Sequence, residues 1–122
     1  MFKNFAPINV NQAEVKLAVS LKREARKLAA QANEEMRNGL ATQAFTFEAT
    51  DKSEIRTFAE IAVWHYKCAA EKYRKSAERF EEAGKVQTGK SKAFNLMAKE
   101  MVSRAVEAEA AINLLNNFLK QN

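Results

Sequence analysis

Gly84-Lys85-Val86-Gln87-Thr88-Gly89-Lys90-Ser91 satisfies the phosphate-binding pattern GxxxxGK[ST] letter for letter. In a working site of that kind the glycines let backbone N–H groups wrap the phosphates, the lysine reaches the β and γ phosphates, and the hydroxyl holds magnesium. That chemistry needs a buried strand before the loop and a second strand ending in a magnesium-binding Asp. Here the octapeptide follows Arg79-Phe80-Glu81-Glu82-Ala83, the charged end of an amphipathic pattern, and no strand-like segment carrying an Asp occurs in the chain. The expected reading is a basic turn between two helices. Lys85, Lys90 and Lys92, with the free N–H groups that open the next helix, are its candidate contacts for an anion.

The remaining reactive side chains are sparse. His65 is the single histidine, so a Ser-His-Asp triad requires it as base, and its helix neighbours Ile61, Ala62 and Ala69 offer no orienting carboxylate. A di-metal bundle needs a Glu-x-x-His on each of two helices, which one histidine cannot supply. His65 and Cys68 are spaced as two ligands, but no other cysteine or histidine completes a metal set. Cys68 has no disulfide partner and reads as a small buried residue. Met36, Met97 and Met101 fall on apolar lines as gap-fillers. The expectation is therefore no catalytic residue, no metal and no cofactor, and a protein that is not an enzyme.

What positions these residues is a set of long helices. From Asp51 to Gly84 the residues Ile55, Phe58, Ala62, Tyr66, Ala69, Tyr73 and Phe80, with Ser76 at the one polar step, fall three and four apart, the seam of a bundle helix. Tyr66, Tyr73 and Phe80 recur every seven residues, flanked by Ala62, Ala69 and Ser76 on one side and Val63, Ala70 and Ala77 on the other. Small flanks let a neighbour approach on each side of the rings, which predicts a central helix. Asp51 followed by Glu54 is a variant of the capping box. Pairs four apart, such as Arg56 with Glu60 and Arg74 with Glu78, line the outer face. Trp64 lies just off the ring line, where it caps the core, the preferred reading, or faces a partner.

A first helix is expected from Asn11 to Asn38, stopped by Gly39, burying Leu17, Leu21, Ala25, Leu28, Ala32 and Met36. Lys22, Arg23, Arg26 and Lys27 form a basic patch on its outer arc. A last helix is expected from an N-cap at Ser91, burying Phe94, Met97, Met101, Ala105, Ala108, Ile112, Leu115 and Leu119. Residues 1–10, with Phe2 and Phe5, read as an irregular lead-in arm. Residues 40–50 read as an aromatic loop carrying Phe45 and Phe47, which covers one end of the bundle or inserts into a partner.

Composition sets the class. The chain has 122 residues, enough for one domain, with three Gly, one Pro and 47% apolar residues, a balance that favours an all-α fold over one rich in turns. A net charge of +5 is interleaved with fifteen carboxylates and selects no partner by itself. No apolar run is long enough to span a bilayer and the start lacks a signal-peptide core, so no membrane insertion and a cytoplasmic location are expected.

The run from Tyr66 to Phe80 is similar in texture to helices of tetratricopeptide repeats and of microtubule-interacting-and-transport domains. The similarity is one of Ala and Tyr spacing and assigns no residue a role. The expected fold is an antiparallel bundle of three long helices, about 11–38, 51–83 and 91–120. Rods this long and thin gain by pairing, so a homodimer is expected as an option, with Phe2, Phe5, Phe45, Phe47 and Trp64 as contacts. The expected function is a non-enzymatic interaction module, an adaptor or small inhibitor, that presents a helix face or the 40–50 segment to a protein partner. The alternative is nucleic-acid binding through Lys22, Arg23, Arg26 and Lys27 together with Lys85, Lys90 and Lys92 of the 85–92 turn.

Overall fold

Alternation of rings and small residues along the middle of the chain is resolved by a helix with a neighbour on each flank. The computed structural model describes the backbone of residues 5–121 and the side chains of residues 12–121. Among these, three long helices account for nearly the whole chain and there is no strand: α1 Phe5–Glu48, α2 Lys52–Val86 and α3 Ser91–Gln121, with a 3-10 turn at Thr88–Lys90 between the last two. At 1.5 Å per residue they measure about 66, 52 and 46 Å. Both α1 and α3 pack along α2, whereas the backbones of α1 and α3 stay apart along nearly all of their length. The bundle is antiparallel, with α2 at its centre.

Every residue of the expected seam on α2 from Ala62 onward is buried, and Ile55 and Phe58 are half-buried. The two flanks serve different neighbours. Ser76 donates from one flank to the carbonyl of Ala25 on α1 at 2.7 Å; on the other, a Cβ at Gly84 would stand 3.3 Å from the Cβ of Phe94 on α3. The phenol of Tyr73 donates to Asn33 and that of Tyr66 to Gln43, both on α1, so each buried ring keeps its polar tip satisfied. Burial pushes both phenols above the usual tyrosine range, with Arg104 pulling the Tyr73 value partway back.

The expected boundaries need correction at α1. It does not start at Asn11 or stop at Gly39; it begins at Phe5, accommodates Pro7 in its first turn and continues to Glu48. Gly39 lies inside the helix because the packing there leaves no room for a side chain: an added Cβ would lie 2.8 Å from Cε1 of the buried Tyr66 ring. The loop expected at 40–50 is likewise helical to residue 48. Its β-branched residues are held in by back-bonding, Thr42 Oγ1 donating to the Asn38 carbonyl at 2.8 Å and Thr46 Oγ1 to that of Thr42 at 3.1 Å. Of the lead-in arm, Phe2 and the side chain of Phe5 lie outside what is described.

The buried line of α1 is Ala18, Ala25, Ala32, Gly39 and Thr46, one every seven residues and all small, the half of a coiled-coil-like seam that admits the rings of α2. Of the expected line, Ala25 and Ala32 are buried, Leu21, Leu28 and Met36 are half-buried, and Leu17 is 51% exposed. The Ser76–Ala25, His65–Glu35 and Phe45–Phe58 contacts all pair residues whose numbers sum to about 100. Val86 therefore falls level with about residue 15 of α1, so Leu17 still runs alongside α2; it is exposed because it stands one residue, about 100° around the helix, from Ala18 and the buried line. On α3 the expected line holds, with Ala98 joining it and Met97, Ile112 and Leu119 half-buried.

The ends of α2 follow local chemistry. Asp51 caps its start, accepting from the N–H of Ser53 at 3.0 Å. Its finish is at Val86, two residues past Gly84. Ser91 is the first residue of α3 in helical geometry and accepts a long 3.4 Å bond from Asn95, so it does not act as the expected N-cap. Charged residues brace neighbours as well as turns of one helix. Arg56–Glu60 forms as expected at 4.0 Å and Lys75–Glu71, also four apart, at 3.1 Å, but Arg74 reaches Glu109 on α3 at 2.6 Å instead of the expected Glu78, and Arg79 reaches Glu24 on α1 at 2.8 Å. The guanidinium of Arg74 holds the Glu109 carboxyl below the usual carboxylate range.

Candidate interaction surfaces

Helical geometry sorts the candidate residues by level along the rod. Arg104 of α3 donates to Asn33 of α1 at 3.3 Å, and the Phe47 and Phe118 rings meet edge to face with centroids 5.5 Å apart. Both pairs are 71 residues apart, so α1 and α3 run parallel in one constant register. That register sets Lys22 level with Ala93 and Lys27 level with Ala98. The basic patch of α1 and the Lys85, Lys90 and Lys92 group thus share one end of the rod. Phe45, Phe47 and Trp64 share the other.

At the aromatic end the two phenylalanines are on a helix, not a loop. Residues two apart on a helix point about 200° apart, so Phe45 goes onto Phe58 of α2, centroids 5.8 Å apart, and Phe47 onto Phe118 of α3. Each remains more than half exposed. Trp64 is not in the core: it is 58% exposed, with Ile61 exposed one turn before it. Beside it runs a shallow groove between α2 and α3. Val63, Trp64 and Leu119 line it with Glu60, Lys67 and Asn116 at its rim, and a second hollow lined by Ile55, Arg56 and the same Leu119 continues it towards the end of the bundle. An aromatic wall over an aliphatic floor with a charged rim has the make-up of an interface centre.

Beneath Trp64 is a pair that a reading of single helices could not find. His65 Nδ1 lies 2.9 Å from Glu35 Oε2 of α1, both side chains only 18% exposed, so the missing orienting carboxylate comes from the neighbouring helix. The Trp64 and His65 rings meet edge to face at 5.0 Å. Cys68, half-buried one turn on, has its thiol pushed up by burial and by Glu35, which disfavours the nucleophilic thiolate. No group of three His, Cys, Asp or Glu side chains suited to a metal occurs among the described residues.

At the opposite end the phosphate-binding pattern spans the last turn of α2, the 3-10 turn and the first residue of α3, with no strand among the described residues. Gly89 has open space around it, while Gly84 is packed against Phe94 inside a helix, so the two glycines do not form one phosphate-wrapping loop. No helix of the described residues is long and apolar enough to cross a membrane. Compared with known proteins, the chain matches no family model, no curated protein and no solved structure.

Proposed function

We propose that this protein is a non-enzymatic interaction module, an adaptor or small inhibitor, that takes a protein partner on the α2–α3 groove beside Trp64. The observation that carries this reading is the 58% exposure of the only tryptophan, set against a groove floored by Val63 and Leu119. Large aromatic side chains are enriched among the residues that dominate binding energy, because they bury much area at little conformational cost. Phe45 and Phe47 extend the same end with two half-exposed rings. A helix or extended segment with apolar side chains and a charge of either sign fits a groove whose rim carries both Glu60 and Lys67.

The test is a pull-down with the tagged full-length chain from the source organism's lysate, comparing wild type with Trp64→Ala and with Phe45→Ala/Phe47→Ala. The reading expects at least one wild-type partner to disappear from the Trp64→Ala profile. Identical profiles for all three proteins would discredit it. Self-association through the same surface is the competing occupant; light scattering that finds a wild-type dimer and a Trp64→Ala monomer would assign the groove to a second copy.

A further inference from the structure

The charge of the chain is divided unevenly along the rod. A plane across the bundle near Ala29 of α1, Tyr73 of α2 and Glu100 of α3 separates residues 12–29 and 73–100 from residues 30–72 and 101–121. The first half holds twelve Lys and Arg against six Asp and Glu, a net of +6; the second holds seven against nine, a net of −2; Lys3, outside the described residues, supplies the remaining charge of the +5 total. The basic half is also the less neutralised. Of its twelve cations only Arg74, Lys75 and Arg79 have an ion-pair partner among the described residues, and the other nine have none.

From these placements we infer that the half of the rod around the α2–α3 turn binds the phosphodiester backbone of duplex nucleic acid, with Lys22, Arg26, Lys90 and Lys92 as principal contacts. The common register of α1 and α3 stacks Lys16 to Lys27 of α1 beside residues 87–98, a band about 17 Å tall at 1.5 Å per residue. Duplex DNA carries one phosphate per about 1.7 Å of axis, so a band of that height faces roughly ten phosphates, several of them on the near side. The side chains of Arg26, Lys90 and Lys92 are exposed and that of Lys22 is half-buried; drawn from α1, the 3-10 turn and α3 over several turns of the rod, they suit an extended polyanion. A membrane surface would need an apolar face among the cations. Beside Lys22 and Arg26 such a face would consist of Val15 and Val19, one turn apart and 39% and 46% exposed, and no aromatic ring is exposed among the described residues of this half to anchor it in a bilayer, so anionic vesicles serve as a control arm of the test.

The inference is independent of the groove at Trp64 and is tested separately. Fluorescence anisotropy of a labelled DNA duplex with the wild-type chain, from 50 to 200 mM salt, should show binding whose log–log salt slope is about −3 to −4, as expected for some four phosphates neutralised. Lys22→Gln/Arg26→Gln/Lys90→Gln/Lys92→Gln should weaken binding at least about tenfold at 100 mM salt and flatten the slope, while Lys52→Gln/Lys120→Gln in the other half should leave both unchanged. Lysine acetylation of the wild-type chain gives the same information without a variant: duplex should protect Lys22, Lys90 and Lys92 and leave Lys52, Lys67 and Lys120 reactive. No binding at 50 mM salt, equal losses in the two variants, uniform protection, or binding only to phosphatidylserine vesicles would each overturn the assignment.

Discussion

The ring of Tyr66 occupies the place that a side chain at Gly39 would need, with Cε1 and Cδ1 at 2.8 and 2.9 Å from an added Cβ. Tyr66 is fully buried and its phenol is tied to Gln43, so the ring cannot swing aside. Gly39→Ala should therefore destabilise by about 1–2 kcal/mol, an overpacking cost of about 1–3 kcal/mol partly offset by a helix-propensity gain of up to ~1 kcal/mol. Gly89→Ala meets nothing within 4 Å and needs no positive φ; it should stabilise by about 0.4–1 kcal/mol through the unfolded chain. Urea denaturation of both variants checks the contrast, and equal effects would show that the Gly39 site is not tight.

Asn33 joins all three helices, its Oδ1 accepting from Tyr73 of α2 and from Arg104 of α3. Tyr73→Phe leaves that oxygen one partner and should cost about 0.5–1.5 kcal/mol, the net value of one hydrogen bond. In a double-mutant cycle with Asn33→Ala the two losses should fall short of additivity by a similar ~0.5–1.5 kcal/mol. Strict additivity would mean that the phenol does not depend on Asn33.

The spacing of Tyr66, Tyr73 and Phe80 made the central helix and its two neighbours legible, and Asp51 marked its start. Gly39 and Gly84 were misleading because glycine serves two purposes that look alike in sequence. It ends helices by reaching positive φ, and it lets another chain come close inside one; neither residue here has a positive φ, and each is pressed by a side chain from elsewhere. Leu17 looked like core because its spacing was right, but the face that meets α2 is the line through Ala18, Ala25 and Ala32, one residue round from it. The meeting of Glu35 with His65, thirty residues apart, and the gathering of cations from α1 and α3 at one end depend on the register between helices. Trp64 lay on the border between two faces, where an outward turn of a few tens of degrees decides exposure.

Both buried tyrosines have phenol values above the ordinary 10. Above that pH the unfolded chain loses phenolic protons that the folded protein keeps, so stability should be intact below pH 10 and fall as pH rises from there through the folded values. Ultraviolet titration should show both phenols ionising late, together with loss of helical circular dichroism. Free ionisation near pH 10 with the helices intact would contradict their burial.

Trp64 is the only tryptophan, so its emission reports a single place. At 58% exposure it should be red-shifted and readily quenched by acrylamide in the free protein. Trp64→Ala should change stability by less than about 1 kcal/mol, as substitutions of exposed residues do. A blue-shifted, shielded indole, or a large loss of stability, would return this residue to the core.

The groove beside Trp64 is tested most directly by a photo-crosslinking amino acid placed at Ile61, which is exposed beside it, and in a second protein at Glu78, exposed in the basic half of α2. After irradiation in the source organism's cells, the account predicts a discrete protein adduct from position 61 that Trp64→Ala abolishes, and no such adduct from position 78. The same adducts from both positions, or none from position 61, would contradict it.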